Sequence, residues 1–317
     1  MITAFLTTLE QMARILLFLV IGYGLNRLHI LPKGASAGSS RLVTVLFLPA
    51  LMLYSNMTEF NLADVASYGG LVLSGAIFWT VITLVVAPLA KKLAKGNADD
   101  HSVYLYSLTV PNTGAVGVPL SLALLGSAGL FRFNLFVLFV VIMTYGWGVG
   151  LFMEGNGKKS VGQLVRRVFN PVFVGMLAGL VLGALDAKNW MPGMAVKIIG
   201  DLSACYVPVS LISAGFAIAD YPLGDVFKRP TSYFVTFLRL LLIPAVVVVA
   251  CMCLGLTKEV ATFAVLTFAS PCGMNAVVYP ASYGKDCKTG ASVVLLSSLG
   301  AVLTVPLLYA LVQQIIP

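Results

Sequence analysis

Apolar runs of membrane-spanning length follow one another along almost the whole chain, each closed by a short polar stretch or by glycine and proline. With that punctuation the pattern divides into ten segments, at 5–28, 40–57, 66–92, 102–125, 131–153, 169–186, 198–219, 231–255, 260–283 and 289–315. Most hold the roughly 20 residues that a helix needs to cross a hydrocarbon core, and the third and eighth are long enough to lie tilted. The pattern therefore predicts an all-α polytopic membrane protein with ten transmembrane helices. The first run is read as a helix and not as a signal peptide. Glu10 precedes Arg14, no positive stretch comes first and no A-x-A site follows.

Charge placement sharpens this picture. Fourteen Lys and Arg residues fall in connections on one side, among them Arg27, Arg41, Lys91, Arg166 and Lys228. Four fall on the other, Arg132, Lys188, Lys197 and Lys258, and Arg14 and Arg239 lie inside segments. A count wrong by one segment would scramble that split. By the positive-inside rule the chain crosses the cell (inner) membrane with both termini extracytoplasmic. The net charge of +8 thus marks topology. Its cations have no aromatic interleaving and form no basic face, so nucleic acid is excluded as a partner. Composition agrees: 10% of residues are charged and 59% hydrophobic, whereas soluble domains carry roughly 25% charged residues. The five cysteines include no C-x-x-C pair, and four sit in apolar runs. They read as small buried hydrophobes, and no metal or cofactor is expected.

Ten segments divide into five and five, so a second half that repeats the first must insert upside-down. Traces of such a repeat are present. Phe47-Leu48-Pro49-Ala50-Leu51 resembles Tyr206-Val207-Pro208-Val209-Ser210-Leu211 at an offset of 159. Pro111 matches Pro271 at 160, and Pro119 matches Pro280 at 161. Inverted repeats with interrupted helices in matching places are a signature of secondary transporters. The halves are residues 1–153 and 169–317, joined by a cytoplasmic linker at 154–168.

The chemistry concentrates in the two proline-flanked stretches Pro111-Asn112-Thr113-Gly114-Ala115-Val116-Gly117-Val118-Pro119 and Pro271-Cys272-Gly273-Met274-Asn275-Ala276-Val277-Val278-Tyr279-Pro280. Two prolines eight or nine residues apart interrupt a helix. The freed backbone groups are tolerable in a membrane only if they are buried in protein or face an aqueous cavity. If the breaks cross near the midplane, each second half-helix presents a positive end of roughly half an elementary charge, which makes an anion site without a cationic side chain. Asn112 and Asn275 can donate to a carboxylate or cap a half-helix. Ordinary proline kinks are the competing reading. Neither break holds an Asp, Glu, Lys, Arg or His, which argues against ion exchange through paired carboxylates and favours an anionic or neutral organic substrate. Sodium held by carbonyls and hydroxyls such as those of Ser270 and Thr113 remains open.

These motifs resemble the auxin efflux carrier family, which includes plant PIN-like carriers and bacterial permeases assigned to malonate or malate. The likeness rests on the five-plus-five layout, the Pro-Asn-Thr-Gly-x-x-Gly-x-Pro break and the Pro-Cys-Gly-x-Asn…Tyr-Pro break, and it spans essentially the whole chain. It implies the fold of the related bile-acid/sodium symporters, with a scaffold of helices 1, 2, 6 and 7 and a mobile core of helices 3–5 and 8–10. A homodimer through the scaffold and elevator-type movement are also implied. Pro111, Asn112, Pro119, Pro271 and Pro280 take the place of crossover residues, with Asn275 and Tyr279 beside them; Thr113 and Gly117 belong to the same motif. The plant carriers' long cytoplasmic loop is missing here, which points to a compact prokaryotic member and away from auxin.

Other residues carry weaker signals. Arg239, a charge within a segment, is a candidate for attracting a carboxylate or for bonding to backbone carbonyls. Arg14 pairs at i,i+4 with Glu10. Gly34-Ala35-Ser36-Ala37-Gly38 matches a nucleophile elbow but lacks the strand and the partners that it needs. Gly175, Gly179 and Gly183 form a small-residue stripe for close helix packing, and Cys251-x-Cys253 reads as packing. Leu51 and Met52, just past Pro49, are candidates for an apolar pocket wall or for ordinary packing. The function expected is a secondary carrier of small organic anions in a lipid bilayer, and not an enzyme. A sodium-coupled symporter or a passive anion channel are the alternatives.

Overall fold

The computed structural model describes residues 2–30, 32, 35–152, 169–219, 227–282 and 287–316. Among them the main helices, in chain order, are α1 (Ile2–Arg27), α2 (Ala37–Glu59), α3 (Leu62–Leu93), α4 (Ala98–Thr109), α5 (Thr113–Gly148), α6 (Pro171–Ala184), α7 (Gly193–Ala219), α8 (Pro230–Cys253), α9 (Lys258–Phe268), α10 (Asn275–Ser282) and α11 (Lys288–Ile315). No strand occurs among the described residues, and a single antiparallel bridge joins Pro111 to Cys272.

Seven of these helices, α1, α2, α3, α5, α7, α8 and α11, are long and apolar enough to cross a membrane, so the chain is a multi-pass membrane protein. The expected segment at 102–125 is divided into α4 and the start of α5, and that at 260–283 into α9 and α10. α6 has only 14 residues. α5 runs through the expected boundary between the fourth and fifth segments, but Gly126, at φ 70° and ψ −171°, is not helical and bends it there. A residue with a Cβ is strained at that φ. The expected linker at 154–168 lies outside the described residues. So does Gly34 of the elbow motif, whose Ala35 onward is helix.

Four turns, one in α2, two in α5 and one in α8, let the hydrogen-bond ladder slip from i−4 to i−5, at Val43–Phe47, Thr113–Gly117, Thr144–Gly148 and Leu238–Leu242. Three have an evident cause in sequence. Pro49, Pro119 and Pro244 each stand two residues past such a turn, and a proline ring clashes with the carbonyl four residues back. The residue before the proline then bonds one position further back: Leu48 N to Val43 O, Val118 N to Thr113 O and Ile243 N to Leu238 O. Turns of this kind cluster at functional sites. The expectation that Pro119 and Pro280 interrupt their helices is corrected here. Pro119 follows a wide turn without ending α5, and Pro280 lies inside α10. The breaks proper are narrower, at Val110–Asn112 and Ala269–Met274.

Packing follows small residues. An added Cβ at Gly175, Gly179 or Gly183 of α6 would lie 2.5–2.8 Å from the carbonyls of Pro49, Leu53 and Asn56 in α2, so the expected stripe is a contact surface. The Asn56 amide donates to Met176 O at 3.0 Å across the same seam. Gly22 and Gly215 bring α1 and α7 together in the same way. A bidentate ion pair joins Arg132 of α5 to Glu259 of α9, with Arg132 Nη2 to Glu259 Oε2 at 2.7 Å. Large apolar side chains project outward from α3 (Leu73, Ile77, Val81, Leu84) and α8 (Phe237, Val246, Val249). A surface of that size suits lipid, not water.

Two smaller expectations are corrected. Arg14 donates to Gln11 Oε1 at 3.4 Å and not to Glu10. The two candidates lie one turn back at i−3 and i−4, and an exposed arginine reaches either. Cys205 and Cys253 are exposed on the outer surface, whereas Cys251 and Cys272 are buried. An apolar segment in a membrane has an apolar exterior too, so membership of such a segment does not imply burial.

Candidate functional site

The two breaks meet. Pro111 ends α4 because it has no N–H with which to continue the ladder. Asn112 N, which an unbroken helix would give to Leu108 O, donates instead to Pro271 O at 2.9 Å. In return Gly273 N donates to Val110 O at 3.2 Å. The second break is also tied from outside, where Ser297 Oγ of α11 accepts from Cys272 N at 3.1 Å.

Asn112 then starts α5. Its Oδ1 accepts from Ala115 N at 3.1 Å, and its carbonyl accepts from Val116 N and Gly117 N, both at 3.1 Å. This is the N-cap expected of asparagine. Because the cap uses the oxygen, the Nδ2 group is left to donate elsewhere. Asn275 behaves differently. It opens α10, and its Nδ2 donates to Tyr279 Oη at 3.1 Å. Tyr279 in turn stacks edge-on against Tyr106, with ring centroids 5.9 Å apart.

A cavity of about 430 Å³ lies against this crossing, within the range of roughly 300–1,000 Å³ usual for small-molecule sites. Asn112, Thr113, Gly114, Gly273 and Asn275 line it from the breaks, and Asn134, Val137, Thr144 and Tyr145 from further along α5. Val43, Leu48, Met52, Phe173, Met176, Tyr206 and Ser213 close it from α2, α6 and α7. It extends to Ser40 and Arg41 at the start of α2, and Arg41 is the sole charged side chain among the described lining residues. Three polar groups are buried in this wall without a hydrogen-bond partner among the described residues, Tyr106 Oη, Asn134 Nδ2 and Ser213 Oγ. Three of the four wide turns contribute to the lining: Val43 and Thr44, Thr113 to Ala115, and Thr144 and Tyr145.

The residues singled out in the sequence distribute unevenly. Pro111, Asn112, Thr113 and Asn275 line the cavity. Pro271 lies on the far side of the crossing, beside a void of about 20 Å³ between α1, α7 and α11. Gly117 and Pro119 are buried in the first turns of α5, where a Cβ on Gly117 would press on the Phe133 ring at 3.1 Å. Tyr279 supports Asn275 from behind, and Pro280 is buried in α10. Leu51 is 3% exposed and does not face the cavity, whereas Leu48 and Met52, one turn apart, do. Arg239 does not line the cavity either. It is fully buried and bonded to Ser270 O and Leu108 O. Ser270, considered for sodium, is engaged at both ends, since its hydroxyl donates to Leu266 O at 2.6 Å and its carbonyl accepts from Arg239.

Sequence reasoning missed Tyr206, Asn134 and Ser213. Tyr206 Oη donates to Gly114 O at 2.8 Å and so ties α7 to the break. Its neighbour Pro208 matches Pro49 in the repeat, and an aromatic hydroxyl inside a membrane segment is a usable signal. Asn134 was as visible, being an amide within an apolar run. The family model described as membrane transport protein matches residues 7–309 of the chain. No curated protein matches it.

Proposed function

The chain belongs to the membrane transport protein family, that of the auxin efflux carriers, and from that premise we propose that it is a secondary transporter of small organic anions, mono- or dicarboxylates, bound at the crossing of its two broken helices. The observation that carries this reading is the lining of the cavity. Two helix beginnings, at Asn112 and Asn275, open on it together with one cation, Arg41, and no acidic side chain among the described lining residues. Helix N-termini favour anions through their dipoles and unpaired N–H groups. Asn112 Nδ2, Asn134 Nδ2 and Ser213 Oγ add donors for a carboxylate and a second polar group.

The same proposal takes the chain as ten crossings in two inverted five-helix repeats. The reciprocal bonds between the breaks, the pairing of α1 with α7 and of α2 with α6, and the bend at Gly126 support it. In this reading α1, α2, α6 and α7 form a scaffold through which the homodimer is made, and the other helices form a mobile core.

 The cavity lies between these two groups, so a core that slides along the scaffold would carry its contents across the membrane, which is elevator-type alternating access. With the Lys- and Arg-rich connections in the cytoplasm, the cavity that reaches Ser40 and Arg41 opens inward.

Counterflow in liposomes tests the function. Purified protein is loaded with unlabelled malonate, malate or indole-3-acetate and exposed to the labelled compound. Saturable counterflow of at least one, strongly reduced in Asn112→Ala, is the expected result. Flux that rises linearly without saturation would mean a channel, and no counterflow from a folded preparation would remove this substrate class.

Arg41 allows a separate check. It is exposed and free to draw an anion towards the cavity, an effect that salt screens over a Debye length of about 10 Å at 0.1 M. Arg41→Ala is expected to raise the half-saturating anion concentration several-fold at low ionic strength, with the difference shrinking as salt is added. An effect that ignores salt would assign Arg41 a packing role instead.

A further inference from the structure

Arg239 stands in the middle of α8, is 0% exposed and faces no carboxylate among the described residues. A guanidinium in that position is costly unless its donors are matched. Its Nε donates to Ser270 O at 3.0 Å and its Nη1 to Leu108 O at 3.1 Å, while Nη2 is buried without a partner among the described residues. Neither carbonyl is arbitrary. Leu108 belongs to the last turn of α4, and Ser270 stands just past the end of α9, so the two carbonyls mark the ends of the first halves of both broken helices. In an unbroken helix Leu108 O would accept from Asn112 N, which is given to Pro271 O instead. One side chain thus takes up a carbonyl at each break.

Charge points the same way. Each helix C-terminus carries roughly half a negative elementary charge and each N-terminus roughly half a positive one. The ends of α4 and α9 together amount to about one negative charge, which a single guanidinium offsets. The beginnings of α5 and α10 amount to about one positive charge on the cavity side, and among the described lining residues none is acidic to offset them. The wide turn Leu238–Leu242, which follows from Pro244, is what carries Arg239 at this point of α8.

We propose that Arg239 is a positioning residue that clamps the two broken helices at their crossing and, by cancelling only their negative ends, sets the preference of the cavity for anions. It acts from behind the crossing and does not touch the cargo. The charge half of this proposal rests on the anion reading above, whereas the clamp half does not.

Two readouts separate them. Hydrogen exchange followed by mass spectrometry reports on the amides of Asn112 and Gly273, which bond across the crossing. In Arg239→Gln their peptides are expected to lose at least tenfold in protection while α1 and α2 stay unchanged; unchanged protection at the crossing would overturn the clamp. For charge, inhibition of counterflow by a carboxylate is compared with inhibition by its neutral primary amide. The carboxylate-over-amide ratio is expected to fall at least tenfold in Arg239→Gln and to stay within about threefold of wild type in Arg239→Lys, which keeps the cation. A ratio unchanged in Arg239→Gln would overturn the charge half, because a purely structural defect weakens both ligands alike. If the glutamine variant fails to assemble, the lysine variant decides, and a ratio lost in folded Arg239→Lys counts against the proposal. Wild-type protein without any carboxylate preference would sink the anion reading, and the exchange data would still judge the clamp.

Discussion

Gly75→Leu is expected to abolish the folded, monodisperse protein, and Gly75→Ala to destabilise it by about 1–3 kcal/mol or more, the usual cost of overpacking a well-filled interior. Gly75 lies on the buried face of α3, where an added Cβ would overlap the carbonyl oxygen of Phe136 in α5. Backbone, not a movable side chain, is what it would meet, so relief requires the two helices to separate. That displacement would reach the cavity, because Asn134, Val137 and Leu138 line it from the same part of α5. Gly69 and Gly70 of α3 supply the control. Both are exposed, with nothing within 4 Å of an added Cβ. Alanine at either is expected to be neutral or to stabilise by up to about 1 kcal/mol, because glycine is the poorer helix former. Thermal melting in detergent, with size-exclusion profiles, measures all three. Equal melting of Gly75→Ala and wild type would mean that α3 and α5 do not approach as closely as described.

The contrast between these glycines shows what the sequence could and could not tell. Span positions were legible because hydropathy reports them directly: 66–92 was expected where Leu62–Leu93 is found, and 289–315 where Lys288–Ile315 is found. Rotation about each helix axis was not. Lipid-facing and core-facing positions are both apolar in a membrane helix, so the amphipathic period that orients a soluble helix is faint here. That is why Leu51 stands beside Met52 as a wall candidate while Leu48 is not named, and why Gly75 looks no different from Gly69 in the sequence. The breaks were legible through Pro111 and Pro271, whose missing N–H is a local fact. The effect of Pro119 was not, since a proline near a helix start can be absorbed by a wide turn. The partners of Arg239 were illegible for another reason: they stand 131 and 31 residues away in the chain.

At the crossing itself, Asn112→Asp is expected to leave the fold intact and to reduce anion transport on the order of a hundredfold. Asp is as good an N-cap as Asn, so its oxygen can accept from Ala115 N as Oδ1 does now. What changes is charge. The aspartate would satisfy the positive beginning of α5 from within the protein and repel the cargo that otherwise does so. Two like charges about 4 Å apart cost about 1 kcal/mol in water and about 4 kcal/mol at an effective dielectric constant of 20. A half-buried position such as Asn112 falls between these limits, and each 1.4 kcal/mol or so is a factor of ten in affinity. Asn112→Ser separates the contributions, because serine caps equally well but has neither the amide donor nor a charge. Its expected loss is about tenfold, the lower end of the worth of one hydrogen bond to a charged group. Aspartate well below serine, at equal thermal stability, is therefore the pattern that an anion site at this helix end requires. Equal activity of the two would place the cargo's charge elsewhere in the cavity and leave Asn112 the role of a cap.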